Sequence, residues 1–129
     1  MEKERIINEY TPLALAFIGD AHFNLTVKDH IVRSFETINK MQKESVRYVS
    51  AAAQAGYISY LLEKDLLSEE EQEIYKRGRN SKPHHKAKNA DIITYKMATG
   101  FESLWGYWYL SENQQRMKQV WDIIRTIGE

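Results

Sequence analysis

Two stretches of this chain are almost free of charge, and each holds one carboxylate. Between Tyr10 and Val27 the only acidic residue is Asp20, in LALAFIGDAHFNL, and no Lys or Arg accompanies it. Between Met97 and Ser111 the only charged residue is Glu102, in ATGFESLWGYWYL. Stretches this apolar belong against a core, yet an ionised carboxylate in an apolar setting is costly unless a cation or hydrogen-bond donors meet it. A divalent metal shared by the two acids is the sharpest way to reconcile both demands. The competing reading leaves Asp20 on a solvated polar face and pairs Glu102 with a Lys or Arg.

The remaining pattern is helical throughout, so the fold class is all-α. The two prolines, Pro12 and Pro83, both sit at plausible breaks, and no long apolar–polar alternation marks a strand. Thr11 followed by Pro12 opens a helix to about Leu25. Thr26 with Asp29 reads as the capping box of a second helix carrying Val27, Ile31, Phe35 and Ile38. A third helix is expected over about 45–64, with Val46, Val49, Ala53, Tyr57 and Leu61 on one side. Ser68 with Glu71 caps a short helix stopping near Gly78, its acids in the first turn and Lys76 and Arg77 in the last suiting the helix dipole. Its acidic start, SEEEQE, reads as a solvated face. Residues 79–90 form the best loop, and a long helix runs from about Asn89 through Leu110. Ser111 with Gln114 would cap the last helix, with Met117, Val120, Trp121, Ile124 and Ile127 as its apolar stripe.

At 129 residues the chain suits one domain, 1–129, with a single core. No apolar run reaches the ~20 residues that cross a bilayer, and MEKERIINEY lacks the apolar stretch of a signal peptide. Without cysteine there is no thiolate metal site, and a cytoplasmic location fits. Net charge is zero, but it is unevenly placed: residues 76–96 hold seven Lys or Arg against one Asp, and residues 63–73 hold six acids against one Lys. Arg77, Arg79, Asn80, Lys82, Lys86 and Lys88 are therefore candidate contacts to a phosphate backbone. The same segment also reads as an ordinary solvated loop, and Arg77, Arg79 and Asn80 as braces of its backbone. His84-His85 lacks the surrounding ligands of a metal site, and His22 should face away from Asp20.

On a helix Asp20 is flanked by Gly19 and Ala21, with Ala16 and Asn24 one turn away; Glu102 shares a face with Ala98, Thr99 and Gly106. These small residues leave room for an ion, a phosphate or a close helix. Mg²⁺ keeps several waters, so two protein carboxylates can hold it, with Mn²⁺ as a possible substitute. A cation held this way can activate water and neutralise charge on a phosphodiester. Asp20 and Glu102 are thus the candidate catalytic and metal-binding pair.

Three blocks in order resemble the ribonuclease III catalytic domain: Gly19-Asp20 within LALAFIGDA, Phe101-Glu102-Ser103-Leu104 with Trp105-Gly106, and Arg77-Gly78-Arg79-Asn80-Ser81-Lys82 with Lys88-Asn89-Ala90-Asp91. The last block resembles the Mini-ribonuclease III subfamily, which has no separate double-stranded-RNA-binding domain. Arg47 and Ser50, in SVRYVSAAAQA, resemble a further block with supporting roles. The resemblance implies an endoribonuclease on double-stranded RNA that leaves 5′-phosphate and 3′-hydroxyl ends. It also implies a homodimer whose two sites each cut one strand, and a role in maturation of 23S ribosomal RNA precursor, where a ribosomal protein could present the substrate. The first helix and the Trp-rich helix are candidates for the dimer interface. The wider family carries acids where this chain has Ala16 and Thr99, so the resemblance implies a leaner site and leaves the metal count open. Two rivals stand beside it: a non-catalytic duplex-RNA-binding or ribosome-assembly module on the same fold, and a helical dimerisation module with no nucleic-acid role.

Overall fold

A computed structural model describes residues 1–81 and 91–127, and the described residues form helices and turns with no strand. In chain order the helices are α1 (Lys3–Glu9), α2 (Pro12–Val32), α3 (Ile38–Val49), α4 (Ala51–Glu63), α5 (Glu69–Arg79), α6 (Ile92–Leu110) and α7 (Gln114–Ile127). The fold is organised around α6. This helix is apolar on all sides, which suits only a helix enclosed by others. From Ala98 to Trp108 every residue but Glu102 is buried. Helices α2, α4 and α5 pack around it, α3 lies on α2, and α7 lies across its end.

The core centres on an aromatic cluster. Phe23 meets Phe101 edge-on at 5.2 Å and Trp105 at 5.0 Å, and Trp105 meets Trp108 at 6.0 Å. Such edge-to-face pairs suit the quadrupoles of the rings and add to the gain from burying them. Both tryptophans of α6 are fully enclosed within the core, while Ile92, Ile93 and Tyr109 of the same helix stay exposed.

Helix boundaries depart from the sequence reading in four places. First, α2 does not stop at Thr26. The Thr26 hydroxyl donates back to the His22 carbonyl at 2.9 Å, Asp29 pairs with Arg33, and Phe23, Val27 and Ile31 continue one buried face across the expected break. Second, the helix expected over 45–64 is two. Ser50 takes an extended ψ of 154°, and its hydroxyl accepts from the Ala53 amide at 3.2 Å, capping α4. Third, Ser111 closes α6 by donating to the Tyr107 carbonyl at 2.7 Å, and Asn113 caps α7 through the Arg116 amide at 3.2 Å. Fourth, α1 is too short and charged to announce itself, and it docks through the single enclosed side chain Ile6.

Other expectations hold. Thr11 caps α2 with Pro12 in its first turn, and the Ser68–Glu71 capping box is complete in both directions. The acidic start of α5 is only partly solvated. The Glu71 carboxylate is buried, accepting from Arg116 at 2.7 and 2.8 Å and from the Trp108 indole at 2.8 Å, while Glu70 accepts from the Tyr107 hydroxyl at 2.6 Å. This network staples α5 to α6 and α7.

Candidate active site

The site is made by how closely α2 and α6 approach. Gly19 and Gly106 sit at their crossing. A methyl group on Gly19 would collide with the Glu102 carbonyl oxygen, and one on Gly106 with the Leu15 carbonyl oxygen. Only glycine permits backbone-to-backbone contact of this kind. The residue after Gly19 is Asp20, so the contact that locks the two helices together also sets Asp20 beside Glu102.

Both carboxylates open onto one cleft. Its walls are Thr11, Leu13, Ala14, Ala16, Phe17, Asp20, Tyr95, Thr99 and Glu102, and it encloses about 730 Å³. Ala16 and Thr99 face the same space as the acids, so this chain replaces two potential ligands with a methyl and a hydroxyl. Thr99 donates that hydroxyl to the Tyr95 carbonyl at 3.0 Å. Among the described residues, no group of three or more His, Asp or Glu is placed to hold a metal.

The acids differ in setting. Asp20 is exposed, and the Asn24 carboxamide donates to its Oδ1 at 3.0 Å. Glu102 is half-buried. Burial first, and then the hydrogen bond and charge of Asp20, push its carboxyl up to about 9, against an opposing hydrogen bond from Gln54. Among the described residues neither acid forms an ion pair with Lys or Arg, so the reading in which a protein cation neutralises Glu102 is not realised there. Two carboxylates side by side on a solvent-reachable cleft have the donor chemistry for a hard divalent cation that retains most of its water.

The other singled-out residues sort as follows. His22 does face away: its Nδ1 accepts from the Trp105 indole at 3.0 Å, and its ring lies 4.4 Å from Tyr109. Arg77 and Arg79 lie in the last turn of α5, and Asn80 is its C-cap. Arg79 Nε donates to Asn80 Oδ1 at 3.2 Å and its guanidinium sits over the Tyr75 ring, contacts between side chains that do not reach the loop backbone. Gly78 packs against Gly100 and Ser103, which brings this basic end of α5 to the level of α6 that carries Glu102. Lys82, Lys86, Lys88, His84 and His85 lie outside the described residues. Arg47 pairs with Glu44 at 2.9 Å on α3, and Ser50 caps α4.

Sequence reasoning missed Gln54. It is 2% exposed, and its Nε2 donates to the Val49 carbonyl at 3.1 Å while the carboxamide also meets Glu102. The signal was present as one amide inside the small and apolar run AAAQAGY.

Comparison with known proteins agrees with the geometry. Residues 13–113 match the Ribonuclease III domain family. The Mini-ribonuclease 3 of Streptococcus pneumoniae is 44% identical over 125 residues, covering 95% of this chain and 98% of that protein. The Mini-ribonuclease 3 of Staphylococcus aureus is 38% identical over 127 residues, covering 98% of this chain and 95% of that one. A crystal structure of a Fusobacterium nucleatum protein superposes with a TM-score of 0.84 at 27% identity, covering 96% of this chain and 98% of the other. With the family match spanning most of the chain and relatives aligned nearly end to end, the chain belongs to the ribonuclease III family, in its Mini-ribonuclease 3 branch.

Proposed function

We propose that this protein is an endoribonuclease that cuts double-stranded RNA, with Asp20 and Glu102 holding Mg²⁺ at the scissile phosphate. The observation that carries the reading is the glycine-locked α2–α6 crossing, which sets the two lone acids on one open cleft. Ribonuclease III enzymes are generally dependent on a divalent metal, and two carboxylates plus water satisfy Mg²⁺ or, as a substitute, Mn²⁺. When bound, the cation supplies an activated water and offsets charge at the phosphate.

The protein's own groups do the rest. Asn24 fixes one face of the Asp20 carboxylate and leaves its other lone pairs to the cleft. Glu102 is held on the most enclosed helix of the fold, so its position varies little during the reaction. Ala16 and Thr99 keep the floor small and uncharged, which leaves space for a phosphate. Arg77, Arg79, Asn80, Lys82, Lys86 and Lys88 supply contacts to the backbone of the duplex, of the sequence-independent kind that A-form RNA invites.

Family members generally act as dimers on double-stranded RNA. In this chain Phe17, 81% exposed on the rim of the cleft, supports a pairing face on α2 beside the acids. Two copies would bring two sites to one duplex, each cutting one strand and leaving a short 3′ overhang with 5′-phosphate and 3′-hydroxyl ends. The proposed substrate is 23S ribosomal RNA precursor, presented with or without a ribosomal protein, in the cytoplasm. Among the described residues no helix is long and apolar enough to cross a membrane.

The test is cleavage of an end-labelled perfect RNA duplex with Mg²⁺, with chelator, and beside a DNA duplex of the same sequence. Mg²⁺-dependent cuts on both RNA strands, bearing 5′-phosphates, are expected. Duplex binding without cleavage under all metals would instead mark a non-catalytic module on this fold.

A further inference from the structure

Every arginine except Arg77 and Arg79 pairs with a carboxylate of the chain. Arg77 is exposed, whereas Arg79 is half-buried and held from two sides. Its guanidinium lies over the Tyr75 ring, 5.6 Å from the centroid, and its Nε donates to Asn80 Oδ1 at 3.2 Å. Among the described residues no carboxylate or backbone carbonyl takes its Nη groups. An arginine fixed in place without an acid keeps its charge and its planar fork of N–H donors for a ligand. The ring beneath it is fixed in turn. Tyr75 lies one turn before Arg79 on α5 and is 2% exposed. It rests on bare backbone, since a methyl group on Gly100 would collide with the Tyr75 ring. Gly78 makes the reciprocal approach, and a methyl group there would collide with the Ser103 side chain. Gly100 stands between Thr99 and Glu102, which line the cleft. A stack therefore runs from the turn of α6 that carries the site, through Tyr75, to a guanidinium at the surface.

We infer that Tyr75 is a positioning residue for the substrate: its ring holds the Arg79 guanidinium as a preset fork for one backbone phosphate of the duplex, at a fixed offset from the Asp20–Glu102 cleft. The inference rests on the proposal that this protein acts on double-stranded RNA. A phosphate accepts two parallel N–H bonds from such a fork, which gives direction as well as attraction. A freely rotating basic side chain must be ordered when it binds, at a cost in rotamer entropy. Arg79 has lost that freedom already, between the tyrosine face and Asn80. The tyrosine face also attracts the cation without neutralising it, as a carboxylate in the same place would. Because Tyr75 is wedged against α6, the fork moves only if the α5–α6 crossing moves. A phosphate contact reads no base, so the fork sets where the strand lies over the acids and leaves the sequence unread.

The experiment measures duplex RNA binding by fluorescence anisotropy without metal, across a salt series, beside cleavage with Mg²⁺. It compares wild type with Tyr75→Phe, Tyr75→Leu, Arg79→Lys, Arg79→Ala and the Tyr75→Leu/Arg79→Ala double variant. Arg79→Ala should weaken binding ~10-fold and reduce the salt slope by ~1. Arg79→Lys keeps the charge and the slope but loses the fork and the stack, and should bind ~3–10-fold more weakly. Tyr75→Phe keeps the ring and should bind like wild type. Tyr75→Leu should also weaken binding ~3–10-fold, and this loss should vanish in the Arg79→Ala background, because it acts through Arg79. Should Tyr75→Leu not fold, Arg79→Lys reads the same fork from the surface. Wild-type binding by Arg79→Lys or by folded Tyr75→Leu overturns the role of Tyr75, as does a Tyr75→Leu loss that persists in full without Arg79. Cleavage by wild type then leaves the nuclease reading standing. Duplex that is bound with the expected losses but never cut overturns the nuclease reading and leaves the fork in place.

Discussion

At the residue scale, the two acids were legible because each stands alone in an apolar stretch, where an unpaired carboxylate has no cheap structural excuse. Gln54 was harder to find, since an amide among alanines signals nothing until Glu102 is seen beside it. Glu71 was hidden in the opposite way, inside an acidic run that suggested only a solvated helix start. Its partners Trp108 and Arg116 lie 37 and 45 residues away in sequence. The raised pKa of Glu102 has a consequence for stability without metal. Between the usual glutamate range and about 9 the folded state binds more protons than the unfolded chain, so stability falls as pH rises through that window. Glu102→Gln removes this loss. The metal-free variant should melt a few degrees above wild type at pH 8, corresponding to ~1 kcal/mol or more, with the gap closing toward pH 4. Equal melting temperatures at pH 8 would contradict the raised pKa of Glu102. Gly19→Ala forces α2 away from α6 and separates the acids. It should cost several kcal/mol, in the range of severe overpacking, and remove cleavage even from the protein that remains folded, as read by thermal melts and initial rates.

At the element scale, periodicity located most of the chain's helices, but it misplaced the boundaries that local chemistry decides. Thr26 and Ser50 are both hydroxyl residues near apolar runs. One bonds back into its helix and the other starts a new one, and the difference lies in which side chains the core can take on either side. The α5 staple makes a sharper prediction. Burial alone would raise the Glu71 carboxyl, but hydrogen bonds from Arg116, the Ser68 amide and the Trp108 indole outweigh it and hold it below the usual range. The unfolded chain therefore binds the extra proton in acid. The staple contributes fully above the normal glutamate pKa and is lost as pH falls through the depressed folded value. Glu71→Ala leaves Arg116 and the Trp108 indole without their acceptor, and should destabilise by ~3 kcal/mol at pH 7. The penalty should shrink below pH 4. A denaturant titration at both pH values checks the sign.

At the scale of the whole molecule, one enclosed helix carries the core and the site together, so stability and activity share the same contacts. The fold class was readable from pattern, since two apolar stretches, two prolines and no alternation leave little but a helical bundle. Which apolar residues pack inward and which stay outside was not readable. Trp105 and Phe17 look equally suited to an interface in sequence, yet the first is fully enclosed and the second 81% exposed. If Phe17 lies in a pairing face, Phe17→Asp should shift the protein to monomer in sedimentation velocity. Melting of the isolated chain should barely change, because no core contact is lost, and coupled cutting of both strands should fall by an order of magnitude or more. A dimer that survives the substitution places the interface elsewhere.

The central claim is that Asp20 and Glu102 act together through one cation. Its most direct test measures Mg²⁺-dependent cleavage and duplex binding side by side for wild type, Asp20→Asn, Glu102→Gln and the double variant. The account predicts that each single change removes cleavage by at least ~10³-fold and that the double variant is hardly worse than either, because residues acting as a unit are not additive. Duplex binding should be retained in all three. Cleavage that persists in either single variant, or losses that multiply in the double, would contradict a shared cation site.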